Sequence, residues 1–142
     1  MLKTATIILL VLLIIAGAFS VLDFVAPWNT LEGDFRAVAG ESYKAVKEPG
    51  AISVSVLYLR HLCVLSLTTT VASLFILLGG FRHGQRWAWW ALLVTGILGW
   101  GFGTIINLVI GNMFDFATHL AGLVWILVGL LLPVKTFFAR KA

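Results

Sequence analysis

The sequence predicts an all-α integral membrane protein, an antiparallel bundle of four transmembrane helices with a short extracytoplasmic amphipathic segment. Three observations predict it. Of 142 residues, 61% are hydrophobic and 11% charged, against about 25% charged in soluble domains. Four runs approach or reach the roughly 20 apolar residues that a helix needs to cross a hydrocarbon core about 30 Å thick. Those runs are residues 4–22, 62–79, 87–109 and 116–134, and no Asp, Glu, Lys or Arg interrupts any of them. The composition excludes a soluble globular domain, and it equally excludes disorder, which requires few apolar residues and many charges. The whole chain, 1–142, reads as a single membrane domain.

The first run has features of a signal peptide: Lys3, a short apolar core and the small residues Ala16, Gly17 and Ala18. The expectation is nonetheless a retained helix. Lys3, Arg82, Arg86, Lys135, Arg140 and Lys141 fall on one side of a four-span topology, and basic residues mark the cytoplasmic side. All six acidic residues, Asp23, Glu32, Asp34, Glu41, Glu48 and Asp115, fall on the other. Both termini are therefore expected in the cytoplasm, with the chain in a bacterial inner membrane. The net charge of +4 comes from dispersed residues without a nucleic-acid-binding motif, so no nucleic-acid partner is expected. Cys63 is the one cysteine, which excludes an intrachain disulfide and a thiolate metal cluster.

Residues 23–60 form the one sizeable extramembrane connection. Within it Leu31, Phe35, Val38, Ser42 and Val46 recur at helical spacing. This predicts a short helix, capped by Asn29 or Thr30 and ended by Pro49-Gly50, that lies on the outer membrane surface or docks on a partner.

The connection at residues 79–90 combines loop-permitting glycines, two arginines and three tryptophans. A turn, a positive-inside signal and an aromatic belt explain all of these. Its run Arg82-x-Gly84-x-Arg86-Trp87-Ala88-Trp89 resembles a connection in small bacterial four-helix membrane proteins of unassigned function, the DoxX-like families. The resemblance covers this connection and implies no functional residue.

Lipid gives helices no hydrophobic reason to associate, so small and polar residues mark the packed faces. In the third span Gly96, Gly99 and Gly103 form a stripe continuing to Asn107, and in the fourth Asp115, His119, Gly122, Ile126, Gly129 and Pro133 follow one another in steps of three and four. The third and fourth helices are expected to pack along these glycines. On the second, His61, Leu65, Thr68, Ala72 and Gly79 share a face, and on the first Leu9, Leu13, Ala16, Ser20 and Asp23 do.

Each helix thus directs a polar residue toward the outer end of the bundle. Asp23, His61, Asn107, Asp115 and His119 are the candidate site, expected to converge there. Two imidazoles and two carboxylates suit a transition metal, with Asp115 orienting His119. His61 and His119 suit axial haem ligation. A quinone or lipid headgroup is a further candidate ligand. Against these stands a purely structural hydrogen-bond network with no cofactor, the expectation that leads. No nucleophile elbow, zinc-protease, P-loop or dinucleotide signature is present, so no catalytic residue is assigned. The mid-membrane region lacks the ionisable groups that ion-coupled carriers place there. The expected function is a non-catalytic accessory or structural subunit. Its partners are the lipid bilayer and other membrane subunits, or further copies of the same chain. The alternative is a small membrane protein that binds a ligand at the outer cluster.

Overall fold

The computed structural model describes residues 1–138, so Arg140 and Lys141 lie outside the described residues. The chain forms helices α1 (Leu2–Val25), α2 (Trp28–Ala39), α3 (Pro49–Gly79), α4 (Arg86–Gly96), α5 (Phe102–Ile110), α6 (Met113–Leu131) and α7 (Val134–Phe138). Short 3-10 turns occupy Tyr43–Ala45 and Phe81–His83, and a π turn at Ile97–Gly101 joins α4 to α5 without a break in the rod. There is no strand among the described residues. Four helical stretches are long and apolar enough to cross a membrane: α1, α3 with its following turn, α4 through α5, and α6.

Three boundaries around the extramembrane connection differ from expectation. Gly40 adopts φ 73° and closes α2, because a left-handed residue cannot continue a right-handed helix. The amphipathic stretch therefore ends there, leaving Ser42 and Val46 outside it. Pro49, expected to end a helix, instead begins α3 from its first turn, where a proline's missing N–H and fixed φ are an advantage. Hence α3 starts thirteen residues before Leu62. Arg60 does not interrupt it, because its Nε donates to the Phe24 carbonyl at 3.3 Å and its guanidinium lies over the Phe24 ring. At the start of α2, Pro27 holds the capping position expected of Asn29 or Thr30.

Helix α1 packs along α3 on one side and α6 on the other, while α4 and α5 complete the second layer against α6. The buried face of α3 is Cys63, Thr70, Ser73 and Leu77. This replaces the expected face, on which His61, Leu65, Thr68 and Ala72 are all exposed. The choice follows α1, whose C-terminal half presents Gly17 and Ser20: Ser20 and Ser66 hydroxyls meet at 2.8 Å, and Thr70 fills the space at Gly17.

Elsewhere glycines act as sockets for large side chains. Ile126 occupies the space at Gly96, Trp100 that at Gly122, His119 that at Gly103, and Leu9 that at Gly129. In each case a Cβ on the glycine would come within 3.0 Å of the inserted side chain. Gly129 thus packs on α1, not on the third span. Gly99 is a correction of a different kind: it is exposed, with nothing within 4 Å of an added Cβ. It lies inside the π turn, whose wider winding carries it off the stripe that straight α-helical geometry predicts. Trp100 takes the place on that face.

At the other end of the bundle, Phe81 is fully buried and stacks on Phe137 with centroids 4.9 Å apart. Arg86 Nε donates to the Phe137 carbonyl at 2.7 Å, and Trp89 Nε1 to the Leu130 carbonyl at 2.9 Å. Trp89 is therefore a core residue and not part of an aromatic belt, whereas Trp87 and Trp90 are exposed.

Candidate functional site

The candidate residues separate into three places. His119 is half-buried on α6, one helical turn further along the chain than Asp115. Its Nδ1 lies 2.8 Å from the Asp115 carbonyl oxygen. A carbonyl only accepts, so Nδ1 carries a proton and Nε2 is left as the acceptor of the neutral ring. The Cδ2–Nε2 edge rests against the bare backbone of Gly103, and the Trp100 ring lies beside it at 5.7 Å between centroids.

Buried Asn107 approaches the same imidazole, its Nδ2 3.4 Å from His119 Nδ1. That nitrogen already donates to the Gly103 carbonyl at 2.9 Å. Two donors face each other, so the 3.4 Å approach is packing and not a hydrogen bond. Asn107 and His119 are thus brought together, as predicted from helical phase, but each donates to a backbone carbonyl of its own helix and not to the other.

Above them sits a second group built around Asn112, which sequence reading missed. Asn112 caps α6: its Oδ1 accepts from the Asp115 N–H at 3.2 Å, and its Nδ2 donates back to Asp115 Oδ2 at 2.9 Å. The same Nδ2 donates to Asp34 Oδ1 of α2 at 3.2 Å. Asp23 at the end of α1 accepts from the Thr30 hydroxyl at 2.8 Å. Burial pushes the Asp34 carboxyl above its ordinary range; the neighbouring Asp115 and Asp23 carboxylates push the same way, and the Asn112 hydrogen bond pulls it back. On the far side of α2, the Ser42 hydroxyl and then Arg36 hold the Glu32 carboxyl below its usual value. The signal for Asn112 was available: an Asn followed three residues later by an acidic residue, at the head of an apolar run, is a helix start.

His61 stands apart. Its ring is exposed on α3, and its Nδ1 meets the Leu57 carbonyl of its own helix at 2.8 Å. The face of α3 that packs on α1 is the Cys63 face, so the expected convergence of His61 with His119 does not occur. The two imidazoles expected as paired axial haem ligands are not brought together. Among the described residues no three His, Cys, Asp or Glu side chains are grouped as metal ligands. No buried side-chain nitrogen or oxygen among them lacks a hydrogen-bond partner.

A groove of about 650 Å³ lies elsewhere, between α1 and α6. Ile8, Phe116, Leu120, Val124, Trp125 and Val128 line it together with Ala117 and Ala121, and no titratable group does. Trp125 Nε1 is committed to the Ile8 carbonyl at 3.1 Å.

No protein-family model matches this chain, and neither a curated protein nor a solved structure does.

Proposed function

We propose that this protein is a non-catalytic subunit that packs on a larger complex of the bacterial inner membrane, either as an accessory or as a structural component. In this reading its four long helices cross the bilayer alternately as an antiparallel bundle, with both termini cytoplasmic and α2 outside. The opposite order of the contacts Gly17 with Thr70 and Ser20 with Ser66 supports the alternation of the first two spans. The basic residues Lys3, Arg82, Arg86 and Lys135 support the orientation. The connection at Arg82–Trp89, in its likeness to DoxX-like proteins, fits the same class of small bundle.

The observation that carries the subunit reading is the length of α3. Its 31 residues extend about 46 Å, against a hydrocarbon core of about 30 Å. The Arg60 bond to Phe24 sets the end of α1 level with Arg60, so Pro49–Leu59 projects beyond the bundle. That stub exposes Val54 (67%), Leu57 (57%) and Tyr58 (66%). Lipid covers such side chains within the bilayer, but a stub standing in the aqueous layer needs a protein to cover them.

Chemical cross-linking in native membranes, followed by purification in a mild detergent, tests the reading. A companion of defined stoichiometry is expected, lost on Val54→Asp or Tyr58→Asp without a change in the unfolding temperature of the isolated chain. A chain that is monomeric after cross-linking contradicts it.

A further inference from the structure

We propose that α2 is a proton-sensitive lid on the outer end of the bundle, closed over the start of α6 when the carboxyl groups around Asn112 hold a shared proton, and released when all of them are ionised.

The geometry is that of a rod between two joints. Pro27 is buried at one end of α2, and at the other Gly40 turns the chain with φ 73° and open space around it. One apolar side chain of the helix, Leu31, is buried. Among the described residues, two polar ties fasten α2 to the bundle: Thr30 to Asp23, and Asp34 to Asn112. Both ties end on carboxylates.

The second tie joins two acids through one nitrogen. Asn112 Nδ2 reaches Asp34 Oδ1 at 3.2 Å and Asp115 Oδ2 at 2.9 Å, so those oxygens are no further apart than the sum of the two bonds. Asp23 approaches from α1 and His119 from α6. The nearby cations are committed elsewhere: Arg60 of α3 to Phe24, Arg36 to Glu32 at 2.7 Å, and Lys44 over the Tyr43 ring. His61 of α3 is bound to its own helix. Like charges this close in a half-buried setting oppose closure, and one proton removes the opposition.

The sign follows from Asp34. Its carboxyl titrates above the ordinary 3.8 in the closed form, so the closed form binds the proton more tightly than the open one. Closure is fully favoured below 3.8, and that contribution is lost as pH rises through the raised value. Release uncovers Asn112 at the start of α6, whether or not the protein has a partner.

Paired spin labels attached at Val38→Cys and Val109→Cys, both exposed positions, measure the lid in a Cys63→Ala background. The probe is the proton alone, in lipid nanodiscs at about pH 3 and about pH 8, below and well above the ordinary carboxyl range. The short-distance population is expected to dominate at the acid value and to shift toward longer distances at the alkaline one. Asp34→Asn, which places a neutral side chain of the same shape at the tie, is expected to hold the short distance at both. An unchanged wild-type distribution overturns the proposal on its own, whatever the variant does. A full pH response retained in Asp34→Asn, or in Asp34→Ser if the first variant is unfolded, overturns it as well.

Discussion

Gly122→Ala adds one methyl group to α6 at the point where the second layer is most tightly interlocked. Its Cβ would stand 2.2 Å from Trp100 Cε3 and 2.4 Å from Cζ3, so the ring or a helix has to move. The ring is not free to slide, because the His119 imidazole lies beside it at 5.7 Å and is itself seated against Gly103. Overpacking of this kind costs about 1–3 kcal/mol, and replacing a mid-helix glycine by alanine returns roughly 0.5–1 kcal/mol. The expected net loss lies between about 0 and 2.5 kcal/mol, centred near 1 kcal/mol. Gly99→Ala supplies the matched control. With nothing within 4 Å of the added methyl, it gains the helix contribution alone and is expected to be neutral or more stable by up to about 1 kcal/mol. Reversible unfolding of the two variants and the wild type in the same detergent measures the difference. Equal stabilities for Gly122→Ala and Gly99→Ala would refute the socket arrangement and return Gly99 to the helix interface.

A double-mutant cycle on Ser20→Ala and Ser66→Ala is expected to give a coupling of about 0.6 kcal/mol, the average for hydrogen bonds between membrane helices; zero coupling in unfolding measurements means that α1 and α3 do not meet at these hydroxyls. His119→Ala is expected to cost about 2–4 kcal/mol through the emptied slot beside Trp100 and Gly103. Metal content and the visible spectrum of the purified protein should not change, and a metal or chromophore lost with His119 would establish the ligand-binding alternative.

The helical plan was legible because it depends on quantities that sum along the chain. Uninterrupted apolar length marks four spans whatever their neighbours are. The phase of polar and small residues also sufficed on α1 and α6, where Leu9, Leu13 and Ser20, and Gly122, Ile126 and Gly129, are buried. It failed where local backbone geometry changed the winding or a neighbour made the choice. The π turn moved Gly99 outward and brought in Trp100. On α3 the expected face was that of His61, and the hydroxyl of Ser20 on α1 selects instead the one carrying Ser66 and Thr70. The extramembrane connection was misread because Pro49 is both a helix terminator and a good first helical residue, and only the left-handed Gly40 decides between them. The site was half legible: helical phase joins Asn107 to His119, but no periodicity relates Asp34 to Asn112, 78 residues away.

The most direct test of this topology is labelling of single cysteines in intact cells with a membrane-impermeant thiol reagent, in a Cys63→Ala background. Lys47 and His83 are exposed and lie in the two connections that the topology places on opposite sides. Lys47→Cys is expected to react from outside, and His83→Cys to react only after the membrane is opened. Labelling of His83→Cys in intact cells, with Lys47→Cys protected, would contradict four alternating spans with α2 on the outer face.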